Sequence, residues 1–212
     1  MIKTLLIGAS LALVSTTVLA DGLKNLESFL RDVSSAESGF TQVVTSPKRA
    51  GEAVARSKTS SGRFEFLRPN RFRFEYTKPF EQSLVADGQT LWLYDVDLNQ
   101  VTARKQQDVL GSTPAALIAA GTDLKALSEV FDLKASPAQD GLEWLEARPK
   151  ARDGQLQSVR VGFRGGQLAV LEIADSLGQR SVLTFNQWQG NVPLKAERFR
   201  FTPPAGADLI RP

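Results

Sequence analysis

The amino-acid sequence predicts a mainly β fold, one twisted antiparallel sheet of about ten strands with a few short α-helices. The clearest observation is at residues 71–76, where aromatic and charged side chains alternate. That period of two is typical of a strand with one buried and one solvated face.

Turn signals at short, regular intervals are the second observation. Strands joined by such tight turns are antiparallel, because a parallel connection requires a crossover of about a dozen residues or more. The turns are Lys78-Pro79, Asp87-Gly88, Asp153-Gly154, Gly165-Gly166 and Leu177-Gly178. The strands expected around them are 40–44, 63–66, 71–76, 82–86, 90–95, 100–104, 142–148, 157–163, 168–174, 180–188 and 196–201.

Three segments have helical patterns. Leu23, Leu26, Phe29, Leu30 and Val33 recur at three- and four-residue steps and predict an amphipathic helix. A second helix is expected from residue 112 or 113 to a stop at residue 121, with a proline in its first turn. A third begins near residue 122 and places residues 124, 127 and 131 along one side.

The N-terminus has the layout of a secretory signal peptide. Lys3 is followed by an apolar run at residues 5–14 and by small residues ending at Ala20. The apolar run is shorter than the roughly 20 residues that a membrane span requires. We therefore expect residues 1–20 to be removed on export and residues 21–212 to form one exported domain.

Composition excludes several classes of site. The chain has no histidine and no cysteine, so thiol proteases, Ser-His-Asp hydrolases and histidine-ligated zinc sites are excluded. Asp87, Asp95 and Asp97 are candidates for a carboxylate pair, but each lies in a predicted turn, where aspartate bonds to its own backbone. We expect no enzyme activity, no cofactor and no metal ion.

Arginines next to aromatics at residues 71–74 also raise a nucleic-acid module as an alternative. Stacking platforms require basic and aromatic groups on one accessible face, whereas strand alternation separates them. The chain has 26 basic and 23 acidic residues, a net charge of +3, and no block of like charge. No nucleic-acid partner is expected.

A strongly curved sheet capped by helices would enclose an apolar cavity suited to acyl chains. A β-sandwich, in which a second sheet covers the first, is the other way to cover the apolar face of a large sheet. The candidate cavity residues are Phe64, Phe66, Phe72, Phe74, Tyr76 and Trp92. Periodicity alone does not distinguish such a lining from an ordinary core.

Several motifs in chain order carry a family resemblance. Residues 68–74 read Arg-Pro-Asn-x-Phe-x-aromatic, and residues 87–95 read Asp-Gly-Gln-Thr-Leu-Trp-Leu-Tyr-Asp. Further matches are Phe40-Thr41-Gln42, Gln100-Val101-Thr102, Thr113-Pro114, Leu117-Ile118-Ala119 and the ending Phe-Arg-Phe-Thr-Pro-Pro-x-Gly at residues 199–206. Together they cover essentially the whole of the expected mature chain in order, and they resemble the LolA family of outer-membrane lipoprotein carriers.

The resemblance implies a fold and a set of partners. The fold is an unclosed, strongly curved antiparallel β-barrel, a half-barrel, covered by a helical lid. The implied partners are triacylated outer-membrane lipoproteins, the inner-membrane LolCDE ABC transporter that releases them and the outer-membrane receptor LolB that accepts them. A monomer without a cofactor is expected, and a related periplasmic sensor that uses the same cavity is the alternative.

The resemblance also implies roles for individual residues. Arg68 stands at the position of the family's lid-closing arginine, and Phe72 matches a sheet phenylalanine tied to client handling. Phe74 departs from the family pattern, where many members have tryptophan, and we expect this to change cavity volume alone. The lid side of the Arg68 contact is expected at Leu30, Leu117, Ile118 and Ala119.

Overall fold

The computed structural model describes residues 22–48, 51, 54–110, 118–119, 124–151 and 154–211. The predicted signal peptide and Leu117 lie outside these residues. Within the described part of the chain twelve strands are present: β1 (Ser35–Thr45), β2 (Ser57–Leu67), β3 (Arg71–Lys78), β4 (Gln82–Asp87), β5 (Thr90–Asp95), β6 (Gln100–Lys105), β7 (Phe131–Gln139), β8 (Leu142–Pro149), β9 (Leu156–Arg164), β10 (Gln167–Asp175), β11 (Arg180–Gly190) and β12 (Asp208–Ile210).

All twelve strands belong to one sheet, in the order β12-β6-β5-β4-β3-β2-β1-β11-β10-β9-β8-β7. Two meanders, β1 to β6 and β7 to β11, are joined where β1 pairs antiparallel with β11. Every neighbouring pair is antiparallel except β12 and β6. Among the described residues β12 and β7 remain unpaired edges, so the sheet is an unclosed half-barrel, as predicted.

Three α-helices are described, α1 (Gly22–Asp32), α2 (Gln106–Leu110) and α3 (Leu124–Val130). The apolar stripe of α1 is buried at Leu26, Phe29 and Leu30, and α1 packs on β7, β8 and β9. The sheet face that α1 covers is called the inner face, and the opposite one the outer face. The helix expected at 112–121 lies outside the described residues except for 118–119.

The core lies between α1 and the inner face. It contains Phe40, Phe64, Phe66, Phe72 and Phe74, which come from three adjacent strands. The alternation at residues 71–76 is confirmed, since Phe72 and Phe74 are buried while the charged residues between them stay partly exposed. The charged side of β3 belongs to the outer face.

Two predicted elements are wrong. Residues 196–201 are not a strand: a 3-10 helix (Ala196–Phe199) forms there, and Phe199 is buried without any strand pairing. Phe131 does not end the third helix but begins β7, a strand that the sequence pattern did not indicate. In both segments tertiary packing, not local periodicity, decides the backbone conformation.

Candidate functional site

The aromatic residues predicted to line a cavity form a closed cluster on the inner face. Phe64 pairs across the strands with Phe74, and Phe66 pairs with Phe72. Their side chains are 0–6% exposed. The Phe64 and Phe74 ring centroids lie 4.5 Å apart, and those of Phe72 and Phe74 lie 6.2 Å apart. The rings therefore occupy the interior themselves in this conformation.

Helix α1 closes one side of this cluster. The Phe29 ring lies 6.0 Å from Phe66, 5.8 Å from Phe163 and 6.0 Å from Trp188, measured between centroids. Phe29 therefore bridges the two meanders of the sheet. Moving α1 away would uncover Phe66 and Phe163 together, on a continuous apolar surface.

The other end of the inner face is open. A cavity of about 580 Å³ lies there, lined by Gln42, Val44, Lys58, Ser60, Tyr76, Pro79, Phe80, Gln82, Asp95, Asp97 and Leu98. Phe80 and Leu98 are 59% and 69% exposed at its rim. Tyr76 marks its inner boundary: the hydroxyl donates to Gln42 Oε1 at 2.9 Å, and burial raises the pKa of Tyr76 to about 12.

Trp92 does not join this cluster, so its assignment to the cavity is wrong. In the β4–β5 register Trp92 pairs with Val85, whereas the inner-face residue Ala86 pairs with Leu91. The Trp92 ring packs on Phe201, 5.5 Å between centroids, and Nε1 donates to Asp87 Oδ2 at 2.9 Å. Trp92 thus lies on the outer face, against the C-terminal segment.

Arg68 follows β2 in the turn before β3 and is only 9% exposed. Its guanidinium donates to the carbonyls of Phe29 (3.0 Å), Leu30 (3.1 Å) and Val33 at the end of α1. Nη2 and Nε donate to the Ile118 carbonyl at 2.8 and 3.2 Å. One side chain therefore ties the β2–β3 turn to α1 and to the 118–119 segment.

The chemistry of these acceptors explains why an arginine lies there. The last carbonyls of a helix lack intrahelical partners and carry the negative end of the helix dipole. Burial lowers the pKa of Arg68 to about 10, and no carboxylate among the described residues pairs with it. The charge is held by carbonyls and by the faces of Phe29 and Phe66, with Cζ 4.8 and 5.1 Å from their centroids.

Comparison with known proteins identifies the family. The model of the family described as "Outer membrane lipoprotein carrier protein LolA" matches residues 31–202. The outer-membrane lipoprotein carrier protein of Albidiferax ferrireducens is 64% identical over 196 residues, covering 91% of this chain and 92% of that protein. The chain belongs to the LolA family.

This LolA-family chain is also similar to one further carrier protein and to one solved structure. The outer-membrane lipoprotein carrier protein of Methylibium petroleiphilum is 50% identical and covers 95% of both chains. A solved LolA superfamily protein from Nitrosomonas europaea has 14% identity and a TM-score of 0.48, covering 84% of this chain and 96% of that one.

Two further polar residues of this LolA-family chain connect segments on either side of Arg68, and sequence reasoning did not find them. Gln106, 1% exposed, donates from Nε2 to the Asn70 carbonyl at 2.7 Å and accepts from the Gly88 amide at 3.0 Å. Asn191 donates to the Asp32 carbonyl at 2.8 Å and accepts from the Ser34 amide at 2.9 Å. No sequence pattern marks either residue, because each connects segments distant along the chain.

In the described part of the chain no group of three or more acidic side chains is arranged to hold a metal ion. None of the described helices combines the length and apolar character needed to cross a bilayer.

Proposed function

We propose that this LolA-family protein carries the acyl chains of outer-membrane lipoproteins between its inner face and its helical lid, taking them from the inner-membrane LolCDE complex and delivering them to the receptor LolB. The carrier role is that of its family, and the relatives at 64% and 50% identity bear the name outer-membrane lipoprotein carrier protein. The observation that carries the mechanism is the closed aromatic interior held by Arg68.

Loading requires the lid to move. With Phe64, Phe66 and Phe72 fully buried against one another and α1, acyl chains find no empty interior. Chains that enter from the open end displace α1 and take the place of its contacts with the sheet. Each methylene buried contributes about 0.8 kcal/mol, which compensates for the Arg68 hydrogen bonds that are lost.

The same latch favours release. Affinity for a ligand that binds only the open state is reduced by the fraction of molecules that are open. A lid held shut by five hydrogen bonds from Arg68 therefore keeps the affinity for acyl chains moderate. A receptor that needs no such opening step takes the cargo.

The carrier makes no covalent bond and requires no cofactor in this proposal. Binding, sheltering and release are all non-covalent, and the inner face supplies apolar surface with no histidine or cysteine. We further propose export with cleavage after Ala20, so that residues 21–212 work in the periplasm as a monomer.

The test is release of newly made lipoproteins from spheroplasts, with and without the purified protein. We expect outer-membrane lipoproteins to appear in the supernatant in a one-to-one complex with this chain. The exporter is shown to be active by a parallel sample that contains an established carrier. If that sample releases lipoproteins and this chain releases none, the carrier function is overturned.

A further inference from the structure

We propose that a second pocket binds a carboxylate presented by an acidic segment of a partner protein. The pocket lies beside the β2–β3 turn that carries Arg68, and binding there weakens the hydrogen bonds of Arg68. The pocket has a volume of about 530 Å³ and lies outside the acyl-chain site. It is lined by Arg71, Asp87, Gly88, Gln89, Ala196 and Arg200. Three segments meet there: the start of β3, the β4–β5 turn and the C-terminal 3-10 helix.

The first observation is that two guanidiniums in this pocket have no polar partner within the part of the chain that the structure describes. Neither Arg71 nor Arg200 has a side-chain hydrogen bond or an ion pair among the described residues. Other arginines pair with a glutamate, among them Arg63, Arg73 and Arg160 on the sheet and Arg198 in the 3-10 helix. Two free planar forks in one pocket favour an oxyanion, which accepts two parallel N–H bonds from each fork.

The charge of the pocket selects the kind of oxyanion. Asp87 also lies in the lining, but its oxygens are engaged within its own turn. Oδ1 accepts from the amides of Gln89 and Thr90 at 2.8 Å each, and Oδ2 accepts from Trp92 Nε1 at 2.9 Å. Two positive groups and one negative group leave a single positive excess. One carboxylate balances that excess, whereas a phosphate dianion exceeds it.

The pocket is connected to the latch by one buried side chain. Gln106 accepts from the Gly88 amide at 3.0 Å, and its own amide donates to the Gln89 carbonyl at 2.8 Å. At its other end Gln106 donates to the Asn70 carbonyl at 2.7 Å, and the Asn70 amide donates to Ala119 at 2.9 Å. A shift of the β4–β5 turn would therefore move Gln106 and, through it, Asn70, which is two residues from Arg68.

The connection has a use only if the protein is the carrier proposed above, and in that respect this inference rests on the proposed function. A partner that seats an acidic side chain between Arg71 and Arg200 would loosen the lid where cargo is exchanged. Away from the partner the lid would remain latched. The binding step itself needs no lipoprotein and is measured on the protein alone.

The experiment is a titration of the ¹⁵N-labelled protein with the peptide acetyl-Gly-Glu-Glu-Gly-amide, alongside its Gln-Gln counterpart as the uncharged control. The Nε–H signals of Arg71 and Arg200 report the pocket, and that of Arg68 reports the latch. We expect the acidic peptide to shift all three signals and to bind at least about tenfold more tightly than the control peptide. The double variant Arg71→Gln/Arg200→Gln should lose that difference, and Arg164→Gln, at an exposed arginine of β9, should keep it.

The relay is tested with Gln106→Met, which should bind the peptide but leave the Arg68 signal unmoved. Should that variant fail to fold, the Arg68 signal of the wild-type protein still shows whether peptide binding is coupled to the latch. Equal binding of the two peptides overturns the site. Binding that leaves the wild-type Arg68 signal unchanged overturns the coupling to the latch. Arginine-dependent binding to phosphatidylglycerol vesicles in place of the peptide overturns the protein partner. Each result is independent of lipoprotein release, so the carrier function stands or falls separately.

Discussion

Replacing Arg68 with leucine removes every guanidinium bond to α1 and Ile118 while keeping an apolar stem in the same space. The Phe29 carbonyl still accepts from the Val33 amide at 3.1 Å, so three carbonyls lose their partner: Leu30, Val33 and Ile118. At roughly 1.5–3 kcal/mol for each bond to a charged donor, the gross loss is about 4–9 kcal/mol.

Two terms oppose that loss. Burial lowers the pKa of Arg68 to about 10, which corresponds to about 3 kcal/mol of burial cost that leucine avoids. Leucine also gains about 2 kcal/mol of apolar burial. Together they leave a net loss from the closed state of roughly 0–4 kcal/mol, and its midpoint of about 2 kcal/mol is roughly 30-fold in the balance between closed and open lid.

The assay is equilibrium binding of a dansyl-labelled fatty acid, followed by transfer of a loaded lipoprotein to its receptor. We expect Arg68→Leu to bind the fatty acid up to about 30-fold more tightly and to hand over cargo more slowly. Arg68→Lys keeps the charge without the planar fork, so its fatty-acid affinity and transfer rate should lie between those of the wild-type protein and Arg68→Leu. Arg104→Leu, at an exposed arginine of β6, is the matched control.

The latch is refuted if folded Arg68→Leu binds the fatty acid within twofold of the wild-type protein and unloads at the same rate. It is also refuted if Arg104→Leu changes both quantities as much as Arg68→Leu does. Either result would reduce the Arg68 bonds to a static helix cap.

Two further predictions concern the inner face. Burial raises the pKa of Tyr76 from 10.0 to about 12, so between these pH values the unfolded chain releases a proton that the folded chain retains. The free energy of unfolding should therefore fall as the pH rises from 10 to 12, and urea melts of Tyr76→Phe should show a shallower fall. At Gly62 an added Cβ would collide with the carbonyl oxygen of Glu75, so Gly62→Ala should lower stability by about 1–3 kcal/mol. Gly190→Ala, whose new Cβ would meet its nearest atom at 3.6 Å, should melt like the wild-type protein, and equal melting of the two alanine variants would contradict the collision.

The shared face of the inner-face aromatics could be predicted from the sequence. Alternation along residues 71–76 indicated that Phe72, Phe74 and Tyr76 share a face, and the β2–β3 register brings Phe64 and Phe66 opposite the two phenylalanines. Such alternation is a local property, since successive side chains of any strand point to opposite sides. The motif at residues 68–74 likewise pointed to Arg68 before any contact was known.

The face on which Trp92 lies could not be predicted from the sequence. Both faces of β5 carry large apolar groups, Leu91 and Leu93 on one and Trp92 and Tyr94 on the other, so the pattern did not reveal which face is inner. The choice was made by the C-terminal segment, whose Phe201 covers Trp92 on the outer face. The same segment, at residues 196–201, was expected to be a strand.

The sequence by itself determined most of the strands and turns and the amphipathic α1, because these follow from steric periods, and the motif at residues 68–74 singled out Arg68. Only the tertiary structure decided that Arg68 also reaches the Phe29 and Val33 carbonyls, which face Trp92 joins and that Gln106 connects two turns. Those contacts depend on segments brought together over long separations along the chain, as with Arg68 and Ile118, fifty residues apart. Local preferences carry no information about such meetings, and the free energy of the whole packed core selects them.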